Sequence, residues 1–188
     1  MRRMELGGTR AVLAATAALG LWLAGCDGEP SSPGTPDAGS GTDGGTSTPG
    51  TGTLSGQLAF TPASVLFARV ADNRAVVFYT DVPVTCAAVT DRNALPRPSK
   101  SVTLNLYNSD GGFSRAEDIE EPYPYYTERL ADGGTGVSSE GDYVRSLAIT
   151  HADGSRYAGS FAAVDMLDGS GRPAYGTLSG TFDARVCP

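Results

Sequence analysis

The sequence predicts an all-β domain, an antiparallel β-sandwich of about seven to nine strands, with a closed β-barrel as the alternative. From residue 54 onward apolar and polar residues alternate, and no long helical stripe interrupts them. Asp-Gly turn signals separate several of the alternating segments. Gly (25 residues) and Pro (12 residues) are both abundant, as expected for a chain rich in turns and linkers.

The first half of this domain contains four predicted strands. The first places Leu54, Gly56, Leu58 and Phe60 on one face. Residues 65–70 follow, and then the nearly continuous apolar run AVVFYT (residues 75–80), which is typical of a central strand buried on both faces. Residues 82–89 predict a further strand.

The second half gives clearer signals. Residues 101–107 alternate cleanly and direct Val102, Leu104 and Leu106 inward. Residues 143–150 and 156–164 form a predicted hairpin around Asp153-Gly154. A second turn at residues 168–171 leads into a last strand near residues 175–186. Between these segments Ser114 and Glu117 fit a helix capping box, and Pro122 ends the short helical fragment.

The pentapeptide GTLSG occurs twice, at residues 52–56 and 176–180, in the first and last predicted strands. In both copies Leu and Gly fall on the inward face. We therefore predict that the two strands occupy similar, adjacent positions in the sheet, where a core-facing glycine lets a bulky neighbour approach closely. Chance recurrence in a Gly-, Ser- and Thr-rich chain is the alternative.

The amino-terminal segment has the pattern of an export signal. Arg2, Arg3 and Arg10 precede an apolar run over residues 11–24, which has the length of a signal-peptide core and is short for a membrane span. The run ends in LAGC (residues 23–26), which resembles the lipobox of bacterial lipoproteins. The resemblance implies removal of residues 1–25, lipidation of Cys26 and anchoring in a membrane of the bacterial cell envelope, with the inner or outer membrane left open.

Residues 26–53 predict a disordered linker after the lipidated cysteine, because no large apolar residue is present to offset the entropy cost of ordering. We place the folded domain at residues 54–188. With Cys26 lipidated, Cys86 and Cys187 remain, and two cysteines in an exported chain most simply form a disulfide. A reactive thiol served by His151 is the alternative.

Little in the sequence points to catalysis or to a cofactor. The formal net charge of −7 argues against a nucleic-acid partner. With His151 as the only histidine, no His-rich zinc site forms. Residues 106–117 match several positions of a calcium-binding loop, but Leu106 stands where the first carboxylate is needed. We expect no metal, no other cofactor and no catalytic residues.

The segment PYPYY (residues 122–126) offers the best candidate for ligand contact. Tyr123, Tyr125 and Tyr126 on a stiff, proline-bearing loop would form an aromatic platform for a sugar or a peptide, or would cap the open end of the sandwich. The sequence thus predicts a membrane-anchored envelope lipoprotein whose β domain is a non-catalytic binding or structural module with an envelope protein or carbohydrate partner. The alternatives are an envelope hydrolase using acidic residues around 110–121 and a carrier of small apolar ligands.

Overall fold

The computed structural model describes residues 49–188, and this part of the chain is almost entirely β-structure. Its nine strands are β1 (Thr51–Gly56), β2 (Ser64–Ala71), β3 (Arg74–Thr80), β4 (Ser99–Tyr107), β5 (Glu120–Arg129), β6 (Thr135–Gly141), β7 (Leu147–Ala152), β8 (Arg156–Leu167) and β9 (Pro173–Val186). One helical turn, α1 (Ala87–Thr90), and two 3-10 turns, Arg92–Ala94 and Ala116–Asp118, complete these residues.

The strands pair in the order β1-β9-β2-β3-β4-β5-β6-β8-β7, and β8 also pairs with β9. All pairings between these strands are antiparallel except the parallel pairing of β2 with β9. The series of strand pairings therefore closes into a ring. Two of the pairings in this ring are short, and we call them seams. Two residue pairs join β6 to β8, and two join β2 to β9. The predicted all-β, antiparallel architecture is confirmed as a sandwich-like body, not a regular barrel.

The main core lies between the inward faces of the strands. Val102, Leu104 and Leu106 of β4 are fully buried, as their alternation predicted. Tyr157 of β8 stacks between Phe67 and Phe182, with ring centroids 4.0 and 5.6 Å away. Burial of each large apolar side chain stabilises the fold by about 1.5–3 kcal/mol relative to exposure.

A second, smaller core covers the opposite face of β2 and β3. Val76 and Phe78 point to this face and pack with Val89 of α1. This explains the continuous apolar run in β3, which is buried on both sides as expected. The prediction of a strand over residues 82–89 is wrong. Those residues form a loop and the start of α1, and their apolar character reflects packing onto β2 and β3 instead of strand pairing.

The disulfide between Cys86 and Cys187 is present, as predicted, with the two Cα atoms 5.6 Å apart. It joins the loop before α1 to the residue after β9, and the backbone N–H of Cys187 donates to the carbonyl of Phe67 at 2.7 Å. The bond therefore secures the short parallel seam between β2 and β9. A loop of 101 residues closed in this way contributes up to about 4.7 kcal/mol in the chain-entropy model.

The two GTLSG copies lie side by side, as predicted. In the β1–β9 pairing Leu54 is opposite Gly180 and Ser55 is opposite Ser179. The first strand begins at Thr51, inside the segment predicted as linker, because its first residues already pair with β9. It ends at Gly56, so the strand predicted to continue through Phe60 is too long, although Leu58 and Phe60 still pack against the main core.

Both Asp-Gly turns form where the sequence placed them. The carboxylate of Asp153 accepts hydrogen bonds from the N–H groups of Ser155 and Arg156 at 2.7 and 2.8 Å, and Asp168 closes the second turn in the same way. The first hairpin strand begins at Leu147 instead of residue 143. The helical fragment near Ser114 is only a 3-10 turn at Ala116–Asp118, without a side-chain cap.

Candidate ligand-binding groove

The tyrosine segment is not a loop but part of strand β5, which corrects the prediction and separates the three candidate residues. Because side chains alternate along a strand, Tyr126 points into the main core and is only 3% exposed. Tyr123 and Tyr125 point to the outer face, where Tyr125 is 36% exposed.

The prediction that Tyr126 contacts a ligand is therefore wrong, because its side chain is buried. It belongs to the main core, opposite Val102 of β4 and Ser139 of β6. Burial raises the pKa of its hydroxyl to about 12, and the nearby carboxylates of Glu128 and Asp81 add to the effect. Its role is packing, which was the alternative that the sequence left open for this segment.

Tyr123 lies in an outward-facing cavity of about 400 Å³ together with two further tyrosines, Tyr107 and Tyr143. The polar side chains that line the same cavity are Arg74, Asn105, Glu120 and Glu121. A volume of this size is within the range of small-molecule binding sites, which run from about 300 to 1,000 Å³.

A second cavity of about 230 Å³ adjoins the first, because Arg74, Asn105 and Tyr123 line both. It adds Thr103, Tyr125 and Glu140. We call the two cavities together the tyrosine groove. The groove runs across the outer faces of β3, β4, β5 and β6, and its walls come from residues spread over positions 74 to 143.

Buried polar groups form the floor of the groove. Asn105 is 8% exposed, and its side-chain oxygen accepts a hydrogen bond from the Arg74 guanidinium at 2.9 Å. The Asn105 amide nitrogen has only long contacts, at 3.5 Å, to the carbonyls of Thr103 and Tyr123. At that distance a hydrogen bond is weak, so this amide retains donor capacity toward a ligand.

A β-bulge shapes one end of the groove. Asn105 pairs with Tyr123 and Tyr107 pairs with Glu120, so β5 carries one extra residue between these pairs. Glu121, at the bulge, has φ of 43° and is the one non-glycine residue with positive φ among residues 49–188. Such a conformation costs about 1–3 kcal/mol and tends to occur at functional sites, as β-bulges do.

The bulge also brings Tyr143 to the groove. The N–H of Val144 donates to the carbonyl of Pro122 at 2.6 Å and holds the segment between β6 and β7 against β5. The Glu121 carboxylate beside Tyr143 raises the pKa of its hydroxyl above the usual value, through its negative charge and a hydrogen bond between the two side chains. Tyr143 remains 51% exposed.

The acidic segment around residues 110–121 divides between groove and surface. Glu120 and Glu121 line the groove. Glu120 also accepts a hydrogen bond from the Ser109 hydroxyl at 2.8 Å. Asp110, Glu117 and Asp118 lie exposed on the loop and 3-10 turn before β5. Over residues 49–188 no group of three or more His, Cys, Asp or Glu side chains is placed to hold a metal ion.

His151 lies outside the groove, on the exposed hairpin of β7 and β8. Its Nε2 is 2.6 Å from Oδ2 of Asp153. The pKa of Asp153 lies below its usual range, mainly because the Ser155 N–H donates to its carboxylate and also because of His151. The pair stabilises the turn. Since Cys86 and Cys187 are bonded to each other, neither supplies a thiol for His151 to activate.

Larger concave surfaces lie on the other side of the body. One of about 600 Å³ is lined by Pro49, Gly50 and the Arg156–Asp183 ion pair, in which Arg156 Nη2 is 2.7 Å from Asp183 Oδ2. This surface lies at Pro49, where the described residues begin, and we assign no site to it.

The predicted signal segment, the lipidation site Cys26 and most of the predicted linker lie outside the described residues. Among the helices within residues 49–188, none has the length and apolar character needed to traverse a bilayer. Comparison of the chain with protein-family models, curated proteins and solved structures returned no match.

Most groove residues were not identified from the sequence. Tyr123 and Tyr125 were, but Arg74, Asn105 and Tyr143 were not. One signal was present for Asn105, since it is an outward-facing amide within the apolar alternation of residues 101–107. The contribution of Tyr143 depends on a loop contact to the bulge in β5, which sequence periodicity does not report.

Proposed function

We propose that the protein is a bacterial envelope lipoprotein, anchored through lipid on Cys26, whose β domain is a non-catalytic binding module. The tyrosine groove is the binding site, and the residues after Cys26 are the spacer between membrane and domain. The observation that carries the binding proposal is the arrangement of Tyr123 and Tyr125 on the outer face of a paired strand, over a floor of buried polar groups. Sites on strands hold their side chains more precisely than sites on loops do.

The proposed anchor rests on the LAGC sequence at residues 23–26 and the preceding charge and apolar pattern. It is tested by intact-mass analysis of the protein extracted from membranes, beside a Cys26→Ser variant. We expect a mass that corresponds to cleavage before Cys26 plus acyl chains, and loss of membrane association in the variant. An unmodified thiol at Cys26 would refute the anchor while leaving the groove untouched.

The binding proposal is tested by retention of solubilised envelope fractions on the immobilised full chain. The comparison variant is Tyr123→Ala/Tyr125→Ala, which removes both outer rings of β5. The control is Val70→Ala, since Val70 is an exposed apolar residue of β2 outside the groove. We expect the wild type and the control to retain the same component and the double variant to lose it. Equal retention by all three would refute the groove as the site.

A hydrolase is the second candidate, because two carboxylates, Glu120 and Glu121, line one cavity. Glycosidases place a carboxyl group on either side of the bond that they cleave, whereas these two residues are neighbours on one strand. An assay of reducing ends released from envelope polysaccharide, with Glu120→Gln and Glu121→Gln variants, decides between the two functions. A carrier of apolar ligands is disfavoured, because Leu104, Leu106 and Met166 are fully buried side chains within the core.

A further inference from the structure

We propose that the tyrosine groove binds a glycan segment without negative charge, built from neutral or amino sugars. This inference rests on the proposed function, since it names the ligand class of the same groove. Four features of the groove support it: the placement of the aromatic rings, the supply of hydrogen-bonding groups, the sign of the charge and the pairing state of the strands beneath.

The groove presents aromatic rings in a row. Tyr123 and Tyr125 are two residues apart on the same face of β5, which corresponds to about 7 Å along a strand. Tyr143 and Tyr107 extend the aromatic surface toward the bulge. The hydroxyl of Tyr125 is 2.5 Å from the Ser138 hydroxyl. This contact holds the Tyr125 ring in place before a ligand arrives, which lowers the entropy cost of binding.

Hydrogen-bonding groups lie between the rings. The Asn105 amide has weakly occupied donors, and Glu121 and Glu140 supply carboxylate oxygens as acceptors. A sugar unit matches both the aromatic rings and the hydrogen-bonding groups, because its C–H faces pack on aromatic rings and its hydroxyls donate and accept hydrogen bonds at its edges. A purely apolar ligand would leave the polar groups of the groove unpaired, at a cost in affinity.

The negative charge of the groove disfavours acidic glycans. Glu120, Glu121 and Glu140 line it, and Arg74 is the one basic residue among the lining residues, already bonded to Asn105. Like charges placed across an interface are unfavourable. An amino sugar would instead be attracted both by the carboxylates and by the negative faces of the tyrosine rings.

The pairing of the strands favours a glycan over a peptide. Extended peptides commonly bind by adding a strand to a free sheet edge. Here β4 is paired on both sides, by β3 and β5, and β5 is paired by β4 and β6. Both strands therefore offer a face of side chains and no continuous free edge, so the ligand must be recognised through side chains alone.

Tyrosine emission provides a direct test. The only tryptophan in the chain is Trp22, and residues 49–188 contain none, so a chain processed before Cys26 emits from tyrosine alone. The protein is titrated with hexamers of glucose, N-acetylglucosamine and glucosamine, with a hexamer of galacturonic acid as the acidic comparison and a lysine-rich peptide as the cationic one.

We expect at least one of the three non-acidic hexamers to bind, and the Tyr123→Ala/Tyr125→Ala variant to bind it roughly tenfold or more weakly. The acidic hexamer should bind at least tenfold more weakly than the best non-acidic one, and Glu121→Gln/Glu140→Gln should reduce that difference.

The inference is overturned if none of the three non-acidic hexamers binds, or if the acidic hexamer or the peptide binds as tightly as they do. If groove-dependent retention of envelope material persists in that case, the proposed function stands and only the ligand class is wrong. If retention is also independent of the groove, the proposed function fails with it.

Discussion

Leu54 lies opposite Gly180, and its side chain occupies space that a side chain at Gly180 would need. A Cβ atom built on Gly180 would be 2.7 Å from the Phe161 ring, 2.8 Å from the Thr53 carbonyl oxygen and 3.0 Å from Leu54 Cδ2. The glycine at the end of the second GTLSG therefore allows β1, β8 and β9 to approach one another closely. The first copy differs, because its Gly56 is exposed at the end of β1 and has a φ of 128°, so the expectation of an inward-facing glycine holds for Gly180 and not for Gly56.

Gly180→Ala should destabilise the domain by about 1–3 kcal/mol, because one of the clashing atoms is a backbone oxygen that cannot rotate away. Urea unfolding followed by far-UV circular dichroism measures the effect. Gly154→Ala is the matched control, since a Cβ there would meet no atom within 4 Å. Equal stability of the two variants would show that the close contact at Gly180 is not needed.

Replacement of the disulfide, as Cys86→Ala/Cys187→Ala, should lower the free energy of unfolding by about 2–5 kcal/mol. The reason is twofold: the unfolded chain gains freedom, and the two-pair seam between β2 and β9 loses its covalent support. Reduction of the wild type should shift its midpoint to that of the double variant. A midpoint that is insensitive to reduction would contradict this role.

Asp153 should make stability depend on pH in the acid range. Its folded-state pKa is depressed, mainly by the N–H of Ser155, so its contribution is fully present above the unfolded value of about 3.9 and is lost as the pH falls further. Thermal unfolding between neutral and strongly acidic pH should show a smaller acid loss in Asp153→Asn. Asp118→Asn, an exposed carboxylate on the 3-10 turn, is the control and should retain the wild-type profile.

Glu121→Gly should stabilise the domain by about 1 kcal/mol, because glycine adopts the positive φ of the bulge without strain. The same change removes the carboxylate beside Tyr143, so the pKa of that hydroxyl should fall toward its ordinary value. Urea unfolding and ultraviolet titration of tyrosine measure the two effects separately. A loss of stability would mean that the Glu121 side chain contributes more than the backbone strain costs.

The central strands could be predicted because their sequence period and their burial agree. Val102, Leu104 and Leu106 alternate in the sequence and lie in the core, and the Asp153 turn is encoded by its own side chain. The errors arose where apolar residues are buried without strand pairing. Residues 82–89 pack onto the back of β2 and β3, and an apolar run alone does not distinguish that arrangement from a strand.

The groove was less predictable than the fold. Its tyrosines are visible in the sequence, but the face to which each one points depends on the register of β5, and residues 122–126 carried too many prolines to read as a strand. The bulge at Glu121 adds one residue to that register. Arg74, Asn105 and Tyr143 then come together through pairings between distant segments, which local patterns do not encode.

The placement of β1 has a mechanical consequence. The chain enters the body at Thr51 through a strand that runs antiparallel to β9, with six residue pairs between them. If the protein is held at Cys26 while its ligand is pulled away, a load directed along β1 would shear these pairs together instead of peeling them one by one. The joint between tether and domain would then resist tension collectively, as suits the proposed link between a membrane and a glycan.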